Sequence, residues 1–507
     1  MAINIEEMAA FCKRKGFVYQ SADIYGGLAG FWDFGPLGVE LKNNIKQHWW
    51  KTFVKNREDV VGIDGSIITN RKVWVASGHT SCFADLMLTT KKTKQKIRAD
   101  QFLEEKLGIT TEGITAEEVN RIVKENKLTS EDGEHFEEVK PFNLMFETNV
   151  GPVIDSKNVS YLRPETAQSI FTNFHLVFEN ARAKLPFGIA QVGKAFRNEI
   201  SPRDFLFRSR EFEQMEIEFF THPNKFNECP YYDDVKDMKL NVLTAAMQDK
   251  NQKHKEIALS TLVDTQLASQ WHVYWLGISY KWFTDLGVKK ENLRLREHTK
   301  VELAHYAGAC YDIEYNFPFG WKEIHGSADR TQYDLHQHGH EAAKQIAVYD
   351  EESKQKVVPY VAAEPSQGVE RAFLAIMFDA YNDDEERGNV VLHLHPSLVP
   401  VQISVFPLVN KLKDKAQEVF KSLQGQFICN YDKSGSIGRR YARSDEVGVP
   451  LCITVDFESL EDNCVTLRDR DSTKQIRVAI SDLQSVICKF FSGEEFLSLG
   501  KEIEVKK

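Results

Sequence analysis

The run Glu211-Phe-Glu-Gln-Met-Glu-Ile-Glu-Phe-Phe220 alternates strictly. In an extended chain Phe212, Gln214, Glu216 and Glu218 fall on one side and Glu211, Glu213, Met215, Ile217 and Phe219 on the other. Just upstream, Ile189-Ala-Gln-Val-Gly-Lys-Ala-Phe-Arg197 reads as a second strand, and the intervening loop carries Ser201-Pro-Arg-Asp204. This predicts an antiparallel pair joined by a long polar loop. One exposed face of the pair would then present Arg197, Glu199, Phe212 and Glu216 together. Such a face offers a guanidinium for a phosphate, an acceptor for an adenine amino group, a ring to stack on it and a second carboxylate. The plainer reading is a solvated strand.

Length requires more than one domain: 507 residues, 42% of them hydrophobic, are enough for at least two cores. Pro36 to Lys55 has a near-helical period with proline at the first turn. Residues 60 to 69 read as a strand. Residues 86 to 140 are charged, thin in aromatics and read as an insertion, helical from Arg98 to Lys127. Residues 221 to 290 read as a second, mostly helical insertion. Strand-like segments return at 310 to 325 and 356 to 363, and Gly368 to Tyr381 is a compact apolar helix. From about 400, strands such as Gln402-Ile-Ser-Val-Phe and Leu451-Cys-Ile-Thr-Val alternate with helices, predicting a separate α/β domain. The expected division is therefore 1–390 and 391–507.

No stretch approaches ~18 consecutive apolar residues, and the acidic start Met1-Ala-Ile-Asn-Ile-Glu-Glu is unlike a signal peptide, so no membrane role is expected. Eight scattered cysteines, with no C-x-x-C pair or tight His/Cys cluster, fit a reducing cytoplasm and predict no structural zinc. A net charge of −10 means that any RNA must be held by local patches. Candidates are Lys91-Lys-Thr-Lys-Gln-Lys-Ile-Arg98 and Arg439-Arg-Tyr-Ala-Arg443, each of which also reads as an ordinary solvated face. His336, His338 and His340 lie close together, with His336 and His340 on one helical face, but lack further ligands, and His393 and His395 alternate on a strand; neither group is read as a metal site. Glycines 26, 27, 30, 35 and 38 lack phosphate-loop spacing and read as turn formers.

A second chemical element is Glu364-Pro-Ser-Gln-Gly-Val-Glu-Arg371-Ala-Phe-Leu374. Pro365 keeps its predecessor out of helix, Gly368 permits close backbone approach, and Arg371 falls in the first turn of an apolar helix. An anion would meet a positive side chain and a helix N-terminus there. Alternatively, Glu364 and Ser366 simply cap the helix.

These residues carry a resemblance. Phe196-Arg-Asn-Glu199 with Arg210-Glu-Phe-Glu-Gln-Met-Glu216 resembles motif 2 of class II aminoacyl-tRNA synthetases, and Glu364 to Arg371 resembles their motif 3. Tyr25-Gly-Gly-Leu-Ala-Gly-Phe-Trp-Asp-Phe-Gly-Pro-Leu-Gly38, Leu162-Arg-Pro-Glu-Thr-Ala-Gln168, Arg294-Leu-Arg-Glu-His298, Glu302-Leu-Ala-His-Tyr306 and Phe319-Gly-Trp-Lys-Glu323 resemble the dimeric type of glycyl-tRNA synthetase, over most of residues 16 to 455.

The resemblance implies an α+β fold: a class II antiparallel-sheet catalytic domain with helical insertions, then a C-terminal α/β anticodon-binding domain. It implies ATP and glycine as substrates, Mg²⁺ as the nucleotide's metal and tRNA(Gly) as partner, in a homodimer resting on the 36–55 helix and the strand after it. Arg197 and Arg371 would be the catalytic arginines. Asn198, Glu199, Arg208, Ser209, Phe212, Glu323 and Ile324 would join them around ATP, with Glu323 beside the metal. Glu165, Glu216, Glu364 and Ser366, with Arg98, would hold glycine. Two departures stand out: Thr90-Lys-Lys-Thr-Lys94 lies where relatives carry Cys-x-x-Cys, and Asn70 lies where the family often has proline. Two rivals are a class II enzyme for another small amino acid and a non-catalytic nucleic-acid-binding relative. Such relatives tend to lose ATP-site residues, whereas Arg197, Glu199 and Arg371 all persist here.

Overall fold

The computed structural model describes residues 3–109, 114–152, 158–304, 306–351 and 353–503. Nine strands form its main sheet: β1 (Val60–Ile63), β2 (Phe187–Phe196), β3 (Glu211–Thr221), β4 (Lys239–Leu243), β5 (Lys255–Ala258), β6 (Leu293–Glu297), β7 (Ala309–Phe317), β8 (Gly320–Asp329) and β9 (Tyr360–Gly368). They lie in the order β5-β4-β6-β7-β8-β9-β3-β2-β1. Neighbours are antiparallel except for β1 with β2 and β4 with β6. The alternating run is thus an inner strand. Glu216 sits opposite Gln191 on β2 and opposite Ser366 on β9.

Alternation explains what lies on each face. Met215, Ile217 and Phe219 enter the largest apolar core, together with Leu41 and Ile45 of α1 (Pro36–Trp50), Trp275 of α3 (Gln270–Asp285) and Phe373 of α5 (Val369–Ala380). Gln214, Glu216 and Glu218 point the other way, but that face is not solvated. α2 (Ala167–Asn180) and α4 (Tyr333–Glu341) lie on it, burying Phe171, Phe174 and Leu335 against Ile189 and Phe220. Glu216 is 1% exposed and Glu218 0%. The expectation of an exposed polar face is therefore corrected to a buried polar layer. A single strand's pattern cannot tell water from polar side chains supplied by distant segments.

Both proposed insertions contain more strand than the sequence suggests. Residues 84–89, 96–98 and 140–143 form a three-stranded sheet. It carries helices Ala99–Leu107 and Ala116–Glu125 over its own core of Leu88, Phe102, Leu103, Val119 and Phe136. Residues 110–113 of the expected 98–127 helical run lie outside the described residues. In the 221–290 stretch, β4 and β5 extend the main sheet instead of leaving it. Strands of three to six residues are too short for alternation to declare itself.

Arrangement of the N-terminal loop depends on glycine. A Cβ on Gly38 would lie 1.8 Å from the Phe17 carbonyl oxygen, so glycine lets α1 pack on that backbone. Apolar residues through Val399 pack with the first core, and the second begins at Ile403. There Cys429–Tyr431, Ile403–Pro407 and Leu451–Val455 run parallel and Cys464–Asp469, Gln475–Ala479 and Lys501–Ile503 continue the sheet antiparallel, with helices Lys413–Leu423, Ile437–Asp445 and Leu483–Phe491.

Candidate active site

At the loop end of β2 and β3 lies a cavity of about 100 Å³ lined by Arg197, Glu199, Arg208, Phe212, Glu323 and Arg371, among others. Arg197, the first residue past β2, has its Nε 3.2 Å from the Pro164 carbonyl oxygen and its guanidinium 5.4 Å from the Phe212 ring centre. Arg371 enters from the first turn of α5. It pairs with Glu323 at 2.9 Å, donates to the Phe207 carbonyl at 3.3 Å and covers the Phe207 ring at 4.5 Å. Glu364 and Ser366 lie within β9, and the helix cap is Gly368 with no side-chain hydrogen bond, so the capping reading fails. Asn198 is held by its N–H to the Leu144 carbonyl, Ser209 lines the cavity, and Ile324 is a core residue.

Among the described residues, Glu199 Oε2 and Arg208 Nη1 are buried with no hydrogen-bond partner. Burial, with Arg98 and Arg371 nearby, pulls the Arg208 pKa down, as expected where cations converge. Glu199 Oε2 and Arg208 Nη1 stand 3.9 Å apart, an ion pair too long for a hydrogen bond, and so leave an acceptor and a donor that suit a ligand with an anionic and an amino group. Phe207, Arg208, Glu323 and Arg371 also line a larger cavity of about 1030 Å³ that reaches Arg98, Arg203, Arg294 and Trp321.

Deeper along β3, the acids converge. Glu165 accepts from Gln168 at 2.9 Å and lies 3.4 Å from His79. Glu216 accepts from the Thr166 hydroxyl, and Glu364 from Arg330 Nη1 at 2.6 Å. Carboxylate oxygens of Glu216, Glu218 and Glu364 all lie within 4.8 Å of one another. Burial and Glu165 raise the Glu216 pKa. Burial, Glu216 and Glu165 together outweigh Arg330 and push Glu364 up to about 8. Glu165 goes the other way: although buried, it is held below the usual carboxylate range by His79, Arg330 and Gln168. Three acids far apart in sequence therefore converge in one buried cluster, Glu165 acting on both Glu216 and Glu364. Gln214 reaches Ser366 Oγ at 3.4 Å on its near side.

Arg98 lies elsewhere. It pairs with Asp85 at 3.0 Å and Asp100 and stands 3.8 Å from Glu199, on the nucleotide side. No contact joins it to Glu165, Glu216 or Glu364 among the described residues.

Several site residues had no reading in the sequence. Arg330, 2% exposed, binds Asp334 through two hydrogen bonds of 2.8 and 2.9 Å as well as Glu364, and lies 4.1 Å over the Tyr306 ring. Its four-residue spacing to Asp334 at the start of α4 was the available signal. Alternation puts Glu218 on the face of Glu216, but nothing in its own segment assigns it chemistry. His298, just past β6, and Cys310 and Asp312, two residues apart on β7, also bring ligand atoms within 4.8 Å, a His/Cys grouping that needs the pairing of two strands to form. His336 and His340 join no such group among the described residues. The Arg439–Arg443 run divides: Arg440 is 3% exposed and bound to the carbonyls of Pro407, Leu408 and Gly435, Arg443 pairs with Asp432, and Arg439 is exposed. Arg440 is therefore a structural arginine, which corrects its reading as an RNA contact.

Comparison with known proteins agrees with this geometry. Residues 146–381 match the family described as tRNA synthetase class II core domain (G, H, P, S and T), and residues 402–489 the anticodon binding domain. The glycine–tRNA ligase of Caldanaerobacter subterraneus subsp. tengcongensis is 45% identical over 494 residues, covering 96% of this chain and 98% of that protein. That of Acetivibrio thermocellus is 44% identical over 501 residues, covering 97% and 98%. A crystal structure of prolyl-tRNA synthetase from Cryptosporidium parvum, complexed with L-proline and AMP, aligns with a TM-score of 0.55 at 14% identity over 98% of this chain and 76% of that one; it supports the fold alone. Near-full-length identity at this level, together with the class II core, means that the chain belongs to the glycine–tRNA ligase family of class II aminoacyl-tRNA synthetases.

Proposed function

We propose that the chain activates glycine with ATP and transfers the glycyl group to the 3′-end of tRNA(Gly), using the cleft at the loop end of β2 and β3. The observation that carries this reading is the convergence of Glu165, Glu216 and Glu364 beside a cleft holding Arg197 and Arg371. In the first step a glycine carboxylate oxygen attacks the α-phosphorus of ATP in line. The bond to the bridging oxygen breaks and pyrophosphate leaves. In the second, the terminal tRNA hydroxyl attacks the glycyl carbonyl, and AMP departs.

Arg197 would bind the α-phosphate, Arg208 the distal phosphates, and Glu199 with Asn198 and Ser209 the adenine edge. Phe212 and Arg371 would enclose the ring, with the Ile324 backbone beside it. Positioning and electrostatic stabilisation are then the whole of catalysis; no side chain becomes a nucleophile. Glu323, an oxygen donor at the junction of the two cavities, suits a hard cation, so it would hold Mg²⁺ together with the nucleotide. The metal would supply neutralisation of phosphate charge. Glu165, Glu216, Glu364 and Ser366 would seat the ammonium of glycine. Arg98 fits the nucleotide side better than the glycine pocket.

A cytoplasmic homodimer completes the proposal. Ile24, Tyr25 and Leu28 are 88%, 86% and 54% exposed, and a partner subunit would cover them. Light scattering at working concentration tests the dimer. Exchange of pyrophosphate into ATP, measured with each amino acid in turn, tests the activity. Glycine alone should support exchange, and Arg197→Ala and Arg371→Ala should abolish it in folded protein; normal exchange in either variant removes that residue from its role.

A further inference from the structure

We infer that Glu218 is the floor of the amino-acid pocket and the residue that excludes any substrate bearing a side chain. The inference deepens the glycine-activation reading and rests on it.

Glu218 is 0% exposed, and neither of its carboxyl oxygens has a hydrogen-bond partner among the described residues. A buried polar group left unpaired weakens a fold, and such groups gather where function holds them in place. Its oxygens lie within 4.8 Å of those of Glu216 and Glu364. It therefore stands directly against two of the acids proposed to seat the ammonium. Burial and the neighbouring Glu364 raise its pKa well above the ordinary value, which disfavours a further negative charge beside Glu216.

Its position along β3 gives it a direction. Phe212 and Gln214 line the nucleotide cavity, Glu216 comes next, and Glu218 lies one alternation deeper, about 7 Å further along the strand. An α-amino acid whose carboxylate faces the α-phosphate near Arg197 must point both its ammonium and its side chain away from that end. Both then compete for the volume between Glu216 and Glu218. Glycine needs room for the ammonium alone. A methyl group would have to displace the Glu218 carboxyl, which Glu216 and Glu364 hem in.

The experiment uses the full chain and pyrophosphate exchange with glycine, L-alanine and L-serine for Glu218→Ala, Glu218→Ser and Glu218→Gln. One methyl group is worth roughly 10- to 200-fold in selectivity, so both truncations should lower the glycine-over-alanine ratio of kcat/KM at least ~10-fold. Glu218→Gln keeps the volume and should keep the ratio. L-alanine should also raise the melting temperature of the truncated variants and leave that of the wild type unmoved. A folded truncated variant with the wild-type ratio overturns the inference, as does a Gln variant as permissive as the Ala variant. Absence of glycine-dependent exchange in the wild type is a different failure, and takes the activity reading down with it.

Discussion

Replacing Arg330 with methionine removes a guanidinium that serves two acids while leaving its aromatic stacking partly filled. Asp334, 1% exposed, would lose both of its short hydrogen bonds to Arg330, and Glu364 its one. Breaking a buried ion pair by deleting one partner costs about 3–5 kcal/mol. Glu364 can take up a proton, since its pKa already lies near 8 with Arg330 present, so the loss should fall in the lower half of that range. With an unfolding entropy of about 2.1 cal/mol/K per residue and a catalytic unit of roughly 400 residues, the melting temperature should fall by about 4–5 °C. Protonated Glu364 no longer attracts an ammonium, so the KM for glycine should rise while that for ATP holds. Adding Glu364→Gln should recover little or nothing of glycine affinity, and less than additive stability should be lost. Calorimetry with exchange kinetics reads both effects. An unchanged melting temperature together with an unchanged glycine KM would refute the claim that Arg330 organises the acid pocket.

Other perturbations probe separate parts of the molecule. Because Glu364 is mostly neutral below about 8 and the ammonium needs its anion, glycine KM should fall as pH rises from about 7 to 8, by up to tenfold per unit, and then level; Glu364→Gln should flatten that profile. Gly38→Ala forces a methyl onto the Phe17 carbonyl and should cost at least about 1–3 kcal/mol by thermal melting, moving α1 and its Lys42, which pairs with Glu213 and Glu370. Arg440→Ala leaves three carbonyls short of a donor and should lower resistance to urea. Arg439→Ala should leave stability alone, raise the KM for tRNA and reduce the salt dependence of tRNA binding by about one phosphate contact.

What could be read from the amino acids was whatever one segment specifies by itself. The β2–β3 pair, the helix from Val369 to Ala380 and its first-turn Arg371 follow from alternation, proline and the helical period. Short charged strands such as Lys96–Arg98 and Lys255–Ala258 stayed hidden, because three or four residues show no period. Arg330 stayed hidden for another reason. Its role comes from Glu364 and Asp334, whose nearness is a property of the packed sheet. Arg440 misled because three carbonyls, from the end of the Ile403–Pro407 strand and from Gly435, satisfy it away from water.

The same alternation that makes β3 legible also restricts where its chemistry can be. Met215, Ile217 and Phe219 fill the largest core, so a one-residue slip would drive Gln214, Glu216 and Glu218 into it and expose the apolar set. Burying three polar side chains in apolar surroundings without partners costs several kcal/mol each, far more than the marginal stability of a domain can absorb. Register is therefore held by the hydrophobic face, and the polar face inherits an ordered ladder from Phe212 at the nucleotide end to Glu218 at the closed end. A strand fixed on both sides by β2 and β9 holds those side chains more rigidly than a loop would, as exclusion demands: a small pocket rejects a methyl group only if its floor cannot yield.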